Sequence, residues 1–491
     1  DGQARGELLE RMFGPELVAA FRDFKAIWDP DGRMNPGKVV DPYPLDADLR
    51  PRTPLAAPPT LFRWPEDEGR FAQAVQRCVG VGRCRRHDPG GVMCPSWRAT
   101  RDERHSTRGR SRLLFEMLAG EVLQDGWRSE EVREALDLCL ACKGCKHDCP
   151  AGVDLAATKA TFLSHYYRGR LRPPRAYAAG LIHRWARLAA LAPGVANTVA
   201  RGPLAPLIKR LTGIAPERTL PAFARSTFRS RFVPRGEGPP VLLWPDTFTN
   251  HFQPEIAEAA VEVLAAAGRR VEIPGKPLCC GRPLYDFGML DQARRQLQEI
   301  LDALAPSLAA GVPLVVLEPS CAAVFRDELL QLFPEDPRAH LLAERTFTLA
   351  GFLANETTFT PPRLSSAPAI LQGHCHQQSL LGMEPDRHLL KQLGLDVKSA
   401  EGCCGMAGAF GFAREHFAVS QAIGEHSLFP ALRTTAPDTL VLADGFSCRE
   451  QIAQSTGRRA RHLAEVLREA LFNPRHDRSV ETPQSDGTPL P

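Results

Sequence analysis

The run Cys139-Leu-Ala-Cys142-Lys-Gly-Cys145-Lys-His-Asp-Cys149-Pro150 restricts the fold of this 491-residue chain more than any other stretch. Its spacing is C-x2-C-x2-C-x3-C-P, in which three thiolates wrap one face of a four-iron cubane and the fourth cysteine serves another cluster. Two-residue gaps demand a tight loop with its sulfurs turned inward, while Gly144 relieves crowding and Pro150 ends the turn. The surrounding pattern from Phe62 to Arg172 is helical, with the first seven cysteines in loops and helix ends.

A matching pair, Cys94-Pro95, lies upstream. The usual exchange would have Cys94 complete the set of Cys139, Cys142 and Cys145, while Cys149 crosses to Cys78 and Cys84. Because Cys78 to Cys94 reads C-x5-C-x9-C, this second site is one cysteine short. Three outcomes stay open: a three-iron cluster, a four-iron cluster with a ligand such as His87 or His105, or a structural role. Zinc sites also use C-x2-C pairs, but the Cys-Pro exchange speaks against zinc. Arg83, Arg85, Arg86, Arg98, Arg101, Arg104, Arg108, Arg110 and Arg112 crowd these cysteines. They read either as partners of a negative cluster, raising its potential, or as a solvated basic face. Without interleaved aromatics they do not suggest nucleic acid.

Fourteen cysteines in tight clusters are unlike the scattered framework of a small secreted domain. The opening DGQARGELLE has neither a basic n-region nor an apolar h-region, so a reducing, cytoplasmic setting is expected, the inner face of the cell membrane included. A net charge of +4 shows no global excess. No stretch reaches the roughly 18 uninterrupted apolar residues of a membrane span. The nearest, 176–200, carries His183, Arg184 and Arg187 and reads as a packed amphipathic helix pair broken at Pro193-Gly194, with a membrane-surface helix as the alternative.

Leu8 to Trp28 has helical spacing, stopped by Asp29-Pro30-Asp31-Gly32. The second half contains an internal repeat. One copy runs from Val241–Trp244 through a helix near 255–267 to Cys279-Cys280-Gly281, then the strand 314–317 and Cys321; the other runs from Ile370-Leu371 through His374-Cys375-His376 and a helix near 385–393 to Cys403-Cys404-Gly405, then 440–442 and Cys448. Strands alternating with helices argue for two α/β units. Thr247 stands where the second copy has Cys375, so one copy offers three thiols and the other four. The expected fold class is α+β multidomain: an α-helical ferredoxin domain followed by two α/β Cys-Cys-Gly repeats as a pseudo-symmetric pair. The expected boundaries are an opening piece at 1–45, a linker at 46–61, the ferredoxin-type domain at 62–175 and a helical, basic connector at 176–238. The two repeats follow at 239–335 and 336–475, with a disordered tail at 476–491.

On Met93-Cys94-Pro95-Ser96, the stretch Glu103 to Arg110, the Cys149-Pro150 motif and both Cys-Cys-Gly repeats, the chain resembles the iron–sulfur half of flavin-linked D-2-hydroxyacid dehydrogenases acting on D-lactate, glycolate or D-2-hydroxyglutarate. It is also similar to the iron–sulfur subunit of anaerobic glycerol-3-phosphate dehydrogenase and to the cysteine-rich subunit of heterodisulfide reductase. Trp28 to Lys38 looks like the last turn of an FAD-linked oxidase domain, which implies a truncated or split gene product with FAD upstream or on a partner chain. The resemblance implies electrons passing from that FAD to a [4Fe-4S] cluster, to a second [4Fe-4S] or [3Fe-4S] cluster, and on to a quinone or other carrier. An oligomer is expected, and no nucleic acid. The expected ligands are Cys139, Cys142, Cys145, Cys149, Cys94, Cys78 and Cys84; Cys375, Cys403, Cys404, Cys448, Cys279, Cys280 and Cys321 are secondary candidates. No general base or substrate-binding arginine for hydride transfer stands out. In the heterodisulfide reductase type each repeat ends in C-x2-C, whereas here Glu318 and Gly445 occupy the first of those positions. A thiol–disulfide enzyme centred on Cys403-Cys404 and a zinc-binding scaffold are the rival readings.

Overall fold

The computed structural model describes residues 2–47, 55, 59–87, 90–356, 359–364, 367–400 and 402–472. It forms two compact units, Asp1–Ala56 and Ala57–Pro491. Most of the expected linker and all of the expected tail lie outside the described residues. In the first unit, the single helix expected over 8–28 is two, Leu9–Phe13 and Pro15–Trp28, separated by Gly14 at φ 81°. Asp29 stops the second, its carboxylate accepting from the amides of Arg33 (2.7 Å) and Met34 (2.8 Å).

The larger unit begins with the helices Phe71–Gln76, Pro95–Thr100, Thr107–Ala119, Glu130–Asp137, Gly144–Asp148 and Leu155–Tyr166. Three of them start where a side-chain oxygen takes up an orphan amide: Ser106 accepts from Gly109, Ser129 from Val132 and Asp154 from Ala157. Leu155–Tyr166 is buried on nearly every face and forms the axis of this helical layer.

Two parallel sheets follow. The first has the order β2-β1-β3-β4, from Pro240–Trp244 (β1), Arg270–Glu272 (β2), Leu314–Val316 (β3) and Thr346–Thr348 (β4). The second has the order β6-β5-β7, from Pro368–Gln372 (β5), Asp396–Ala400 (β6) and Leu440–Leu442 (β7). The arrangement 2-1-3 thus recurs. The first sheet extends past residue 335, where the sequence reading ended that repeat, because β4 pairs with β3. Val241, Leu243, Val315, Leu371 and Leu442 share one core with the helices Pro254–Ala266 and Leu463–Phe472, so the two sheets bury their apolar strands together.

Between the helical layer and the first sheet lie four short helices, Pro174–Gly180 (α1), Ile182–Ala189 (α2), Pro193–Arg201 (α3) and Ala205–Thr212 (α4). The packed helix pair expected here is not what forms: α3 and α4 bury no residue, and α2 buries only His183 and Ala186.

Candidate iron–sulfur and cysteine-rich site

The two cysteine loops have the same backbone. In Cys139 to Cys145 the chain turns on Ala141 (φ 51°) and Lys143 (φ 60°); in Cys78 to Cys84 it turns on Gly80 (φ 81°) and Gly82 (φ 78°), at the same offsets. Each second turn residue is the N-cap of a short helix, Gly144–Asp148 in one loop and Arg83–Arg85 in the other. Val81 therefore takes the position of Cys142, which identifies the residue standing where a cysteine is missing. A left-handed Lys143 is unusual for a non-glycine. Its side chain is fully buried, with Nζ 2.8 Å from Asp154, 2.6 Å from Asp327 and 3.4 Å from Glu328. Lys146 adds a 2.5 Å contact to Asp327, and Arg282 a 2.5 Å contact to Glu328. This network fastens the loop to the π-helical segment Val324–Glu328 of the first repeat, which continues into the helix Leu329–Leu332.

Cys139, Cys142, Cys145 and Cys94 are all buried. Burial, together with the mutual charges of Cys94, Cys145 and Cys375, pushes the Cys142 thiol up; burial, Asp154, Cys139 and Cys94 do the same for Cys145. Crowded, desolvated thiols of this kind ionise readily only against a cation, which suits a thiolate-bound metal. Cys78, Cys84 and Cys149 line a separate small pocket with Val81, Gly82, Met93 and Arg108. Neither histidine proposed for that site is in its lining: His87 Nδ1 faces Arg101 and its ring packs edge-on against Trp97, while His105 Nδ1 bonds Thr100 Oγ1.

Of the nine arginines, Arg110 reaches a thiol, donating to Cys94 Sγ at 3.6 Å and to Ser96 Oγ at 2.9 Å. Arg85 and Arg108 pair with Glu103, Arg104 pairs with Asp102, and Arg98 donates to the carbonyls of Gly90 and Met93. Much of the basic patch is thus neutralised locally.

The Cys-Cys-Gly halves repeat one constellation. In the first, Thr247 Oγ1 donates to Cys279 Sγ at 3.7 Å, and Cys280 and Cys321 have their sulfurs 2.8 Å apart. In the second, Cys375 interacts with Cys403, and the sulfurs of Cys404 and Cys448 are 3.4 Å apart. The Cys403 thiol, then His374 and His376, hold Cys375 well below the ordinary thiol range; the thiols of Cys403 and Cys448 do the same for Cys404. The ligand atoms of His374, Cys375 and His376 lie within 4.8 Å of one another. His376 Nε2 donates to the Ala141 carbonyl (3.0 Å), which leaves its buried Nδ1 with no partner among the described residues. His374, Cys375 and His376 bring their ligand atoms close enough for one metal ion, with the thiols of Cys403, Cys404 and Cys448 beside them, whereas the first half, with three thiols and a hydroxyl, is poorer in donors.

Glu318 has a role the spacing did not reveal. It caps the helix Pro319–Ala323 through Ser320, and its Oε2 accepts the Phe446 amide of the other repeat at 2.8 Å. A carboxylate here joins the halves where the related pattern has a sulfur. At Gly445 an added Cβ would lie 2.3 Å from His374 Cδ2.

The two cysteine systems meet. Cys142 shares an apolar cluster with Cys375, Cys403, Val92, Leu140 and Ile423, and Ser379 Oγ donates to the Cys142 carbonyl at 3.3 Å. Beside this junction is a mainly apolar cavity of about 900 Å³ whose lining includes Cys139, Cys279, Cys280, Cys321 and Cys375. Charged and polar side chains interrupt that lining, among them Asp137, Arg175, Asp246, Arg282, Glu318 and His374, and the Trp244 indole N–H has no partner among the described residues. Burial and the neighbouring Glu318 push Asp246 up to about 6.

Comparison with known proteins agrees with this division. Residues 74–153 match a 4Fe-4S dicluster domain, residues 246–326 and 375–453 each match a cysteine-rich domain, and residues 1–39 match the C-terminal domain of FAD linked oxidases. The chain is 28% identical to D-2-hydroxyglutarate dehydrogenase of Pseudomonas putida, aligning 94% of its own length with 50% of that protein. It is 28% identical to one subunit of the anaerobic glycerol-3-phosphate dehydrogenase of Escherichia coli (55% of this chain, 73% of that one) and to lactate utilization protein A of Bacillus subtilis (46% and 98%). The chain spans about half the length of the D-2-hydroxyglutarate dehydrogenases it matches.

Proposed function

We propose that this chain is the iron–sulfur electron-transfer portion of an FAD-linked D-2-hydroxyacid dehydrogenase, receiving electrons from flavin and delivering them to a quinone or another carrier. The observation that carries this reading is the continuity of thiols from Cys78, Cys84 and Cys149, through Cys94, Cys139, Cys145 and Cys142, to Cys375 beside an apolar cavity. Dehydrogenases among the relatives, and the match of residues 1–39 to an FAD-linked domain, support the oxidoreductase class and a flavin-bearing partner or upstream domain.

Cys94, Cys139, Cys142 and Cys145 would hold a four-iron cluster, and Cys78, Cys84 and Cys149 a three-iron one, since Val81 supplies no ligand. Bound clusters supply one-electron storage and transfer. The protein's own groups position and tune them: Arg110 donates to Cys94, and the Lys143 network keeps the loop closed. Cys375, Cys403, Cys404 and Cys448 form the second candidate centre, with Cys279, Cys280 and Cys321 a weaker one. The recurrent 2-1-3 strand order favours a pseudo-symmetric pair of repeats. A large cavity with a mostly apolar surface suits a ring-shaped, lipophilic acceptor. The reading places the chain in the cytoplasm, working as an oligomer with its flavin partner.

The test is iron and sulfide content with EPR on anaerobically purified chain, then mixing with the flavin partner and a D-2-hydroxyacid. Substrate-dependent bleaching of the cluster absorbance is expected. Zinc alone, or clusters that no hydroxyacid bleaches, would refute the reading. A second reading, thiol–disulfide chemistry, draws on the lowered thiol of Cys375 facing the cavity. It requires pH-dependent alkylation of Cys375 in cluster-loaded protein.

A further inference from the structure

A surface helix ordinarily turns its apolar stripe inward. Helices α1–α4 do the reverse. α2 buries His183 and Ala186 while Trp185 and Leu188 face out; Val195 and Val199 of α3 are exposed, as are Leu204, Leu207 and Leu211 along α4. Among described residues of the larger unit, ten large apolar side chains are exposed between Leu171 and Leu211, against five elsewhere: Val79, Val81, Val122, Val233 and Phe472. Charge is equally one-sided. Between Asp154 and Glu217 the chain has ten lysines and arginines and no acid. Arg184, Arg201 and Arg210 form no salt bridge among the described residues, as the ion pairs of this region involve Arg175.

Apolar side chains ringed by unpaired cations complement one kind of surface. A second copy of this face would set like charge against like, with Arg184, Arg201 and Arg210 of each copy opposed, and a protein partner would have to supply the acid. We infer that α1–α4 dock on an anionic lipid bilayer, with Trp185, Leu188 and Leu207 at the headgroup–acyl boundary and Arg184, Arg201 and Arg210 on lipid phosphates. Leu171, Tyr177 and Trp185 also line the cavity that reaches Cys139 and Cys375, so its mouth lies at that face. A lipophilic acceptor would then enter from the membrane; that last step rests on the electron-transfer reading, whereas docking does not.

The experiment is flotation of cluster-loaded protein with phosphatidylcholine vesicles containing or lacking phosphatidylglycerol. Salt-sensitive flotation with the anionic vesicles is expected, with affinity falling about a hundredfold in Arg184→Gln/Arg201→Gln/Arg210→Gln and flotation lost in Leu188→Glu/Leu207→Glu. Val233→Glu, at an exposed apolar site elsewhere, should float as wild type, and retained cluster absorbance shows that each variant is folded. Failure of the wild type to float, or equal flotation of the Leu188→Glu/Leu207→Glu variant, overturns docking. So does a wild-type dimer in ultracentrifugation that this variant converts to monomer, which would assign the face to a second copy. Reduced clusters that float but are not reoxidised by a long-tailed quinone in the vesicles would refute the acceptor step and leave docking standing.

Discussion

Replacing Lys143 by methionine should loosen the loop that carries Cys139, Cys142 and Cys145. The side chain has no solvent exposure, and its ammonium faces Asp154, Asp327 and Glu328 at 2.8, 2.6 and 3.4 Å. Methionine keeps the bulk but leaves buried carboxylates short of a cation, a change that typically costs about 3–5 kcal/mol. Lys146 still reaches Asp327, and Arg282 still reaches Glu328, so the lower end of about 3 kcal/mol applies, a factor of about a hundred in the opening equilibrium. Hydrogen exchange of the Gly144–Asp148 amides reads that opening locally, without assuming two-state unfolding of a multidomain protein. Protection should fall about a hundredfold, and Asp327→Asn added to Lys143→Met should restore part of it by removing an unpaired charge. The pH dependence has a definite sign. Lys143 and Lys146 outweigh burial and hold Asp154 and Asp327 below the ordinary carboxylate range. Their stabilisation is therefore present above about pH 4, the unfolded value, and is lost as pH falls through the lower folded values. Lys143→Met should flatten that acid limb. Protection unchanged to within about fivefold, about 1 kcal/mol, would show that the buried network does not hold the loop.

Val81→Cys restores the absent position of the second loop and should add one iron per chain and abolish the EPR signal of an oxidised three-iron cluster; unchanged iron content would refute the three-thiol assignment. Burial and the nearby Asp444 push Asp386 up to about 8, so the folded state holds an extra proton between about pH 4 and 8 and stability should decline as pH rises through that window. Denaturation of Asp386→Asn should lack this slope, since the amide oxygen can still accept from Gln377. Gly445→Ala drives a methyl into His374, an overpacking cost of about 1–3 kcal/mol. Metal binding at the second Cys-Cys-Gly half should weaken while the EPR of the ferredoxin-type clusters is unchanged, and unaltered binding would place His374 outside that centre.

The order of elements was readable because its signals are local. β1, β3, β5 and β7 are continuous apolar runs, as buried parallel strands require, and the Cys-Pro spacing already separated Cys149 from its three neighbours in the run. β2 and β4 are three residues long, and β6 is Asp-Val-Lys-Ser-Ala, exposed over most of its length; such strands leave no periodic trace. The partners of Lys143 lie 11, 184 and 185 residues further along the chain, a separation that no spacing rule connects. For α1–α4, apolar and basic residues alternate densely enough that periodicity fits either face. The exposure of Trp185, Leu188 and Leu207 among the described residues shows which one points outward.

In both repeated motifs one copy is a cysteine short of the other. Val81 replaces the cysteine equivalent to Cys142, and Thr247 replaces the one equivalent to Cys375. Cys142 meets Cys375 and Cys403 where the ferredoxin-type loop contacts the second repeat, with His376 bonded to Ala141 and Ser379 to Cys142 across the contact. Cys142 and Cys375 therefore face each other, while the first repeat is tied to the same loop through Lys143 and shares a cavity with Cys139 and Cys375. For a one-electron relay the shared contact is the step where the separation of centres governs the rate, and there a lost ligand would interrupt the path.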